Sequence, residues 1–407
     1  MEKAIFESRR KKLIKAMKLD QTAIIFAASR SSYPRYFLQD KNFYYLTGLE
    51  IPDAILTICK RKKKTVITLF IERNIPERIV WEGKKIEPEK AKKLTGIDTV
   101  KYLDEFDFNI NNFLFSINTL YVNKAITPFS SLINRSQEFI QKAIRSMPSL
   151  QIKDLNNIIS LPRSIKDEYE ISQLQRAIDV TGKGIIEIYK NAKSGMNEYE
   201  LEAILYKEII GSGLRHVGFK SIIASEVNAT TLHYEENNSK IQENSLVLLD
   251  VGAACNNYSA DISRTFPVNG KFTARQKEVY EQVLSIQKNI IEMIKPGISF
   301  EELNKKTNEL ITKALFELGL IKDKKERTKY YMHGFGHFLG LDTHDVGDRN
   351  ITLKPGNVIT VEPGIYIPEE KIGVRIEDDI LVTKTGFKIL SENIPKEIEE
   401  LEKLCAK

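Results

Sequence analysis

Cysteine is scarce in this chain: three among 407 residues, at positions 59, 255 and 405, with no C-x-x-C pair. That excludes a disulfide framework and a zinc knuckle, and it points to a reducing cytoplasm as the working compartment. Long apolar runs are missing too. No stretch approaches the ~18 apolar residues that a membrane helix needs. Between Met1 and Asp20, the cations Arg9, Arg10, Lys11 and Lys12 interrupt Ile5, Leu13, Ile14 and Met17, so no secretory signal is expected there. Charge of one sign is also lacking. Lys and Arg number 61 against 55 Asp and Glu, leaving +6, an excess too mild to argue for nucleic acid. With 42% apolar and 29% charged residues, the composition is globular, neither disordered nor fibrous. Single cores seldom outgrow roughly 250–300 residues, so the length predicts two domains or three.

Two unlike parts are visible. In residues 1–160 short apolar runs alternate with short helical patterns, and residues 23–28, 54–58 and 66–71 read as strands. The basic run KRKKK at residues 60–64 joins two of these and lacks interleaved aromatics. It reads as a solvated hairpin tip in preference to a nucleic-acid patch. Arg9, Arg10, Lys11 and Lys12 read as the wet face of an amphipathic helix. Near residue 160 the texture changes. Leu161-Pro162-Arg163 reads as a linker, and Ser164-Ile165-Lys166-Asp167 opens a long helix in capping-box form. Ile171, Leu174, Ile178, Ile185 and Ile188 mark its apolar face. In residues 161–407 paired helices then alternate with paired strands, an α+β pattern.

This second part contains an echo of itself. Residues 193–201, KSGMNEYEL, match residues 295–303, KPGISFEEL, and both read as a turn followed by a capped helix start. Residues 246–252, LVLLDVG, match residues 358–364, VITVEPG. Each is an apolar strand ending in a carboxylate two residues before a glycine. His233 precedes one strand and His344 the other. Spacings of 102, 112 and 111 residues exclude a short solenoid and suggest a duplicated α-α-β-β unit, with chance similarity of helix starts as the competing explanation.

The duplication has a chemical consequence. Two related halves that pack to bury their sheets bring equivalent strand ends together across a pseudo-twofold axis. Asp250 and Glu362 then approach a common point, and each half offers one more carboxylate shortly afterwards, Asp261 and Glu377. Four converging carboxylates could not all ionise without cations. A dinuclear divalent metal site resolves the conflict. Of five histidines, three fall within residues 333–344, flanked by glycines that permit close backbone approach: His333, His337 and His344. His216 stands alone and receives no role. One histidine with four carboxylates is a hard, oxygen-rich set that suits Mn²⁺, with Fe, Co and Zn left open. Two such ions about 3.5–4 Å apart hold a hydroxide as nucleophile and polarise a carbonyl, which implies amide hydrolysis.

These stretches carry a resemblance. LHYEEN at 232–237, Asp250 followed by YSADISRTFP at 258–267, the histidine segment 331–345, VEPG at 361–364 and VRIED at 374–378 resemble the pita-bread metallopeptidases of the Xaa-Pro aminopeptidase (aminopeptidase P) family. NFYYLTG at 42–48 resembles that family's N-terminal domain. The resemblance implies a C-terminal pita-bread (creatinase/aminopeptidase) fold over 161–407 and a smaller α/β creatinase-like domain over 1–160. It implies Asp250 on one metal ion, His337 and Glu362 on the other, and Asp261 and Glu377 bridging. Glu362 would handle the proton and His344 would donate to the oxyanion or scissile amide. His233 and His333 would line the proline pocket. Arg375 would hold Tyr258 and a carboxylate ligand in place, and Arg349 would contact the peptide. Trp81, the sole tryptophan, either reaches a neighbouring subunit's site or packs in the core. The implied partners are peptides with proline second, with neither nucleic acid nor membrane, in a homodimer or homotetramer. Rivals are a prolidase, a metal-free creatinase-like hydrolase and a catalytically dead binding relative; intact ligand positions disfavour the last two.

Overall fold

Apolar alternation builds the first unit, and its sheet answers to the strand signals of the sequence. The structure is a computed structural model describing residues 2–30, 37–114, 117–123 and 134–406. It divides into two units, Met1–Arg163 and Ser164–Lys407. The first contains, in chain order, α1 (Glu2–Ala16), β1 (Gln21–Phe26), α2 (Lys41–Thr47), β2 (Ile55–Lys60), β3 (Thr65–Ile71), α3 (Pro76–Glu82), α4 (Pro88–Thr95), β4 (Thr99–Tyr102), α5 (Phe106–Leu114), β5 (Thr119–Val122), α6 (Arg135–Ser146), β6 (Gln151–Asp154) and α7 (Asn156–Ser164). Among the described residues these strands form one mixed sheet in the order β4-β3-β2-β1-β5-β6. Ile24, Phe26, Ile55, Phe70, Leu120 and Val122 project from it onto Phe106, Leu114 and Ala143 of α5 and α6. The β2–β3 hairpin closes over the basic run, with Arg61 N–H donating to Lys64 O at 3.2 Å.

Two expectations for this unit fail. Arg9 and Arg10 are buried, although Lys11 and Lys12 are exposed. Arg9 stacks 4.6 Å over the Tyr45 ring. Arg10 donates to Leu46 O and to Thr95 O, both at 2.6 Å, and so caps the carbonyl ends of α2 and α4 at once. Burial pulls its pKa down to about 10 against the opposing pull of Glu7. The stretch Leu161-Pro162-Arg163 is no linker but the last turn of α7. Tertiary anchors override the breaker signal: Tyr45 OH donates to Pro162 O at 3.1 Å, and Arg163 to Asn42 Oδ1 at 2.7 Å.

The second unit contains α8 (Glu168–Asn191), α9 (Glu198–Gly211), β7 (His216–Val217), β8 (Ile222–Ser225), β9 (Leu246–Val251), β10 (Ala253–Cys255), β11 (Tyr258–Ser259), β12 (Ile262–Pro267), α10 (Ala274–Glu292), α11 (Phe300–Glu317), β13 (Val358–Val361), β14 (Gly364–Ile367), β15 (Ile372–Arg375), β16 (Asp378–Val382), β17 (Phe387–Ile389) and α12 (Ile398–Cys405). The capping box of α8 lies three residues later than expected. Asp167 is the N-cap, accepting from Glu170 N–H at 2.9 Å while Glu170 accepts from Asp167 N–H at 3.1 Å. Ser164 instead ends α7. Leu174, Ile178, Ile185 and Ile188 are buried, and Ile171 half-buried.

The internal echo is structural. Gly195 and Gly297 both take positive φ, 86° and 95°. Gly195 N–H donates to Ile241 O at 2.8 Å and Gly297 N–H to Leu353 O at 2.9 Å. Isolated bridges Asn197↔Lys240 and Ser299↔Thr352 repeat the pattern. Reciprocal capping boxes then start α9 at Asn197/Glu200 and α11 at Ser299/Glu302. Each half continues as a strand, a hairpin and a returning strand: β9, β10–β11, β12 in one, and β13, β14–β15, β16 in the other.

Lysine in place of Arg10 offers one point donor where a fork serves two carbonyls. Arg10→Lys is expected to cost about 1–3 kcal/mol, since a buried acceptor loses its partner. Urea unfolding checks it; an unshifted midpoint would remove Arg10 from any capping role.

Candidate metal centre

The duplicated strands place the acids. Asp250 is in β9, opposite Ser263 of β12, and Asp261 directly precedes β12. In the other half Glu362 directly follows β13 and Glu377 directly precedes β16. His337 comes from the segment before β13, tied on by Thr360 N–H to His337 O at 2.9 Å and His337 N–H to Thr360 Oγ1 at 3.1 Å. Gly336 is needed for that approach, because a Cβ there would lie 2.0 Å from Thr360 O.

His337 Nδ1 meets Phe338 O at 3.0 Å. A carbonyl only accepts, so Nδ1 carries the proton and the Nε2 lone pair faces the acids. It lies 3.3 Å from Asp261 Oδ2 and 3.5 Å from Glu362 Oε1. Asp261, His337 and Glu377 each offer a ligand atom within 4.8 Å of the others. Burial pushes the carboxyls of Asp261 and Glu377 well above the ordinary range, and the neighbouring acids push further. Glu362 is raised as well, by burial and then Asp250, with His337 and Arg375 opposing.

Among the described residues, one guanidinium is bonded into the cluster. Arg375 donates to Asp250 Oδ2 at 2.7 Å, to Ser263 Oγ at 2.8 Å and to Tyr366 OH at 3.1 Å. Two like charges about 4 Å apart repel by about 4 kcal/mol at an effective dielectric of 20, so one guanidinium cannot offset four carboxylates. Asp250 Oδ1 is buried and accepts no hydrogen bond. An orphan acceptor, an imidazole lone pair and acids held unfavourably close fit divalent cations.

The five candidate ligands line one cavity of about 90 Å³ together with His233, His333, His344 and Arg375. The His337 and His344 rings meet edge-on at 4.3 Å. His333 Nε2 is 2.8 Å from Tyr366 OH and its Nδ1 is 2.8 Å from Gly334 O. Arg375 therefore feeds a directed chain: guanidinium to Tyr366, hydroxyl proton to Nε2, and Nδ1–H to the carbonyl. Burial, then Arg375, lowers the His333 pKa to about 4, so the ring is neutral at pH 7.

Three expected residues lie outside the cavity lining. Tyr258 is fully buried and donates to Glu170 Oε1 at 3.0 Å. Tyr366 accepts the Arg375 bond described above. Arg349 is exposed, 5.9 Å from the Phe300 ring. Trp81, on α3 of the first unit, is 87% exposed, which overturns core packing. Sequence reasoning missed Tyr366, Ser263 and Thr360. Ser263 donates to Glu377 Oε2 at 2.8 Å, and Thr360 to Glu362 Oε1 at 3.3 Å. The available signal was period two: Ser263 and Thr360 each stand two residues from a ligand.

Comparison with known proteins decides the family. The model of Metallopeptidase family M24 matches residues 172–384, more than half of the chain. The chain belongs to metallopeptidase family M24. The Aminopeptidase P N-terminal domain matches residues 6–121. Among curated M24 relatives, Xaa-Pro aminopeptidase of Haemophilus influenzae is 34% identical over 99% of this chain and 97% of its own. Human Xaa-Pro aminopeptidase 3 is 34% identical over 95% of this chain and 81% of its own. Aminopeptidase P from E. coli with the inhibitor Pro-Leu superposes with a TM-score of 0.91 at 30% identity, covering 100% of this chain and 98% of that one.

Protons and cations compete for raised carboxyls. Their protonated forms favour the metal-free fold at low pH, and that contribution is lost as pH rises through the raised values. Cation binding needs the ionised forms. Added Mn²⁺ should therefore raise the melting temperature more at pH 8 than at pH 5; at pH 8 a hundredfold excess over Kd corresponds to about 2.7 kcal/mol of stabilisation. Calorimetry of chelator-treated protein checks this, and a pH-independent increment would count against the cluster as the binding site.

Proposed function

We propose that this chain is a dinuclear-metal aminopeptidase that hydrolyses the N-terminal Xaa-Pro bond of peptides. One observation carries the reading: Asp250, Asp261, His337, Glu362 and Glu377 converge in a cavity shared with three further histidines, in a chain matched along its length by Xaa-Pro aminopeptidases. Asp250, Asp261, His337, Glu362 and Glu377 would hold the ions, with Asp250 serving one, His337 and Glu362 the other, and Asp261 and Glu377 both. Two divalent cations, Mn²⁺ being favoured by four carboxylates and one imidazole, supply when bound an acidified water and a Lewis acid for the carbonyl.

The side chains do the rest. Glu362 has the most open carboxylate of those paired here, 19% exposed against 15% for Asp250 and 6% for Asp261. It takes the water's proton and passes it to the leaving nitrogen. Burial, then His337, lowers the His344 pKa, so a neutral imidazole donates its N–H to the developing oxyanion. His233, on an exposed turn, and His333 flank the proline ring. A tertiary amide has no N–H to offer, so its recognition falls to ring contacts. Arg375 and Tyr366 fix the tautomer of His333. Arg349, near His344, contacts the peptide beyond the proline.

Trp81 offers an exposed contact for a second copy, in keeping with a homodimer or homotetramer. Buried Cys59, Cys255 and Cys405, in no disulfide among the described residues, suit the cytoplasm.

Release of the first residue from Arg-Pro-Pro and from Gly-Pro tests the substrate class. Metal-restored cleavage of the tripeptide is expected; cleavage of the dipeptide alone would make the chain a prolidase. Asp261→Ala should lose essentially all turnover, and near-normal turnover in that variant would sink the site assignment. Tyr366→Phe, which frees the His333 tautomer, should lower kcat/KM by about tenfold, or 1.4 kcal/mol; an unchanged value would detach His333 from orientation of the substrate.

A further inference from the structure

His344 lies in a segment with no helix or strand to hold it: residues 341–347 run as bends and coil. Its neighbour Asp345 is the anchor. Asp345 Oδ2 lies 2.8 Å from Lys166 Nζ, and the two side chains are 1% and 0% exposed. Space for the pair is reserved by Gly340, where a Cβ would fall 2.2 Å from Asp345 Oδ2 and 2.9 Å from Lys166 Nζ. Lys166 is itself fixed, its N–H donating to Gly356 O at 2.7 Å immediately before the N-cap of the 24-residue α8. The Asp345 backbone is tied as well, donating to Phe338 O at 2.8 Å.

A buried ion pair is a poor stabiliser, because desolvation offsets its attraction. Direction is what it adds. His344 and Asp345 leave adjacent positions of one backbone, so fixing Asp345 fixes the point from which the His344 side chain departs. With Asp345 held against Lys166, the backbone at His344 is held too, and the His344 side chain lines the metal cavity, where its ring meets that of His337. We infer that Lys166 and Asp345 are positioning residues for His344, setting the direction of its N–H toward the reacting carbonyl. The inference rests on the proposed donor role of His344.

The test measures kcat and KM on Arg-Pro-Pro for Asp345→Asn and for the charge-free pair Lys166→Met with Asp345→Leu. Each is made alone and with His344→Ala. A misaimed donor is lost from the transition state, so kcat should fall about 10- to 100-fold with KM nearly unchanged. The Mn²⁺-induced rise in melting temperature should persist, because the ligands are untouched. In the His344→Ala background the same substitutions should cost nothing further. A full additional loss in that background would overturn the inference, as would wild-type kcat in the folded charge-free pair. Loss of the fold in both variants would also overturn it, by making the pair structural support. Near-normal turnover of His344→Ala alone would instead remove His344 from catalysis, and the inference would fall with that reading.

Discussion

Mutual repulsion of buried carboxylates is the constraint around which the second unit is arranged. Asp250, Asp261, Glu362 and Glu377 are brought together at strand ends where burial weakens screening by water, and Arg375 is their one close cationic partner in the chain's described hydrogen bonds. Desolvation makes each charge costly, and proximity makes them costlier together. A fold that tolerates this must hold its backbone rigidly and admit counter-charge. Both are visible. Arg264, fully buried, donates to Ser263 O at 2.9 Å and Glu377 O at 2.6 Å, and to Asp378 Oδ1 at 2.8 Å, so the chain on either side of the acids is clamped. The clamp is itself paired, since Asp378 lies well below the usual carboxylate range: burial pushes it up, but Arg264 and Lys396 outweigh that.

Duplication supplies the geometry economically. One turn, one capped helix and one strand–hairpin–strand passage, used twice, bring four acids to one place without a separate device for each. The halves have diverged where chemistry differs. The first contributes two aspartates; the second contributes two glutamates, the imidazole of His337 and the chain from Arg375 through Tyr366 to His333. Such asymmetry gives the two sides of the cluster unlike donors.

Much of this was legible in the sequence. Apolar strands ending in Asp250 and Glu362 carried the repeat, and clustered glycines and histidines carried the cavity. Errors arose where tertiary contacts outvoted local signals. Arg9 and Arg10 look solvated from their neighbours, but the guanidiniums find helix-end carbonyls supplied by residues far along the chain. Pro162 reads as a breaker until Tyr45 and the Arg163–Asn42 bond are known to anchor it. Tyr366 was invisible because an apolar strand hides a hydroxyl whose partners, Arg375 and His333, are distant in sequence. The positions that periodicity governs were readable; those that depend on one specific long-range partner were not.

The interleaving of ligands also bears on how the protein is made. Asp250 and Asp261 leave the ribosome well before His337, Glu362 and Glu377, and domains generally fold as they emerge. On the proposed ligand set, a nascent chain presents two aspartates before the other donors exist, so a complete metal site would form only once the second half has docked. Metal uptake at that site would then follow assembly of both halves.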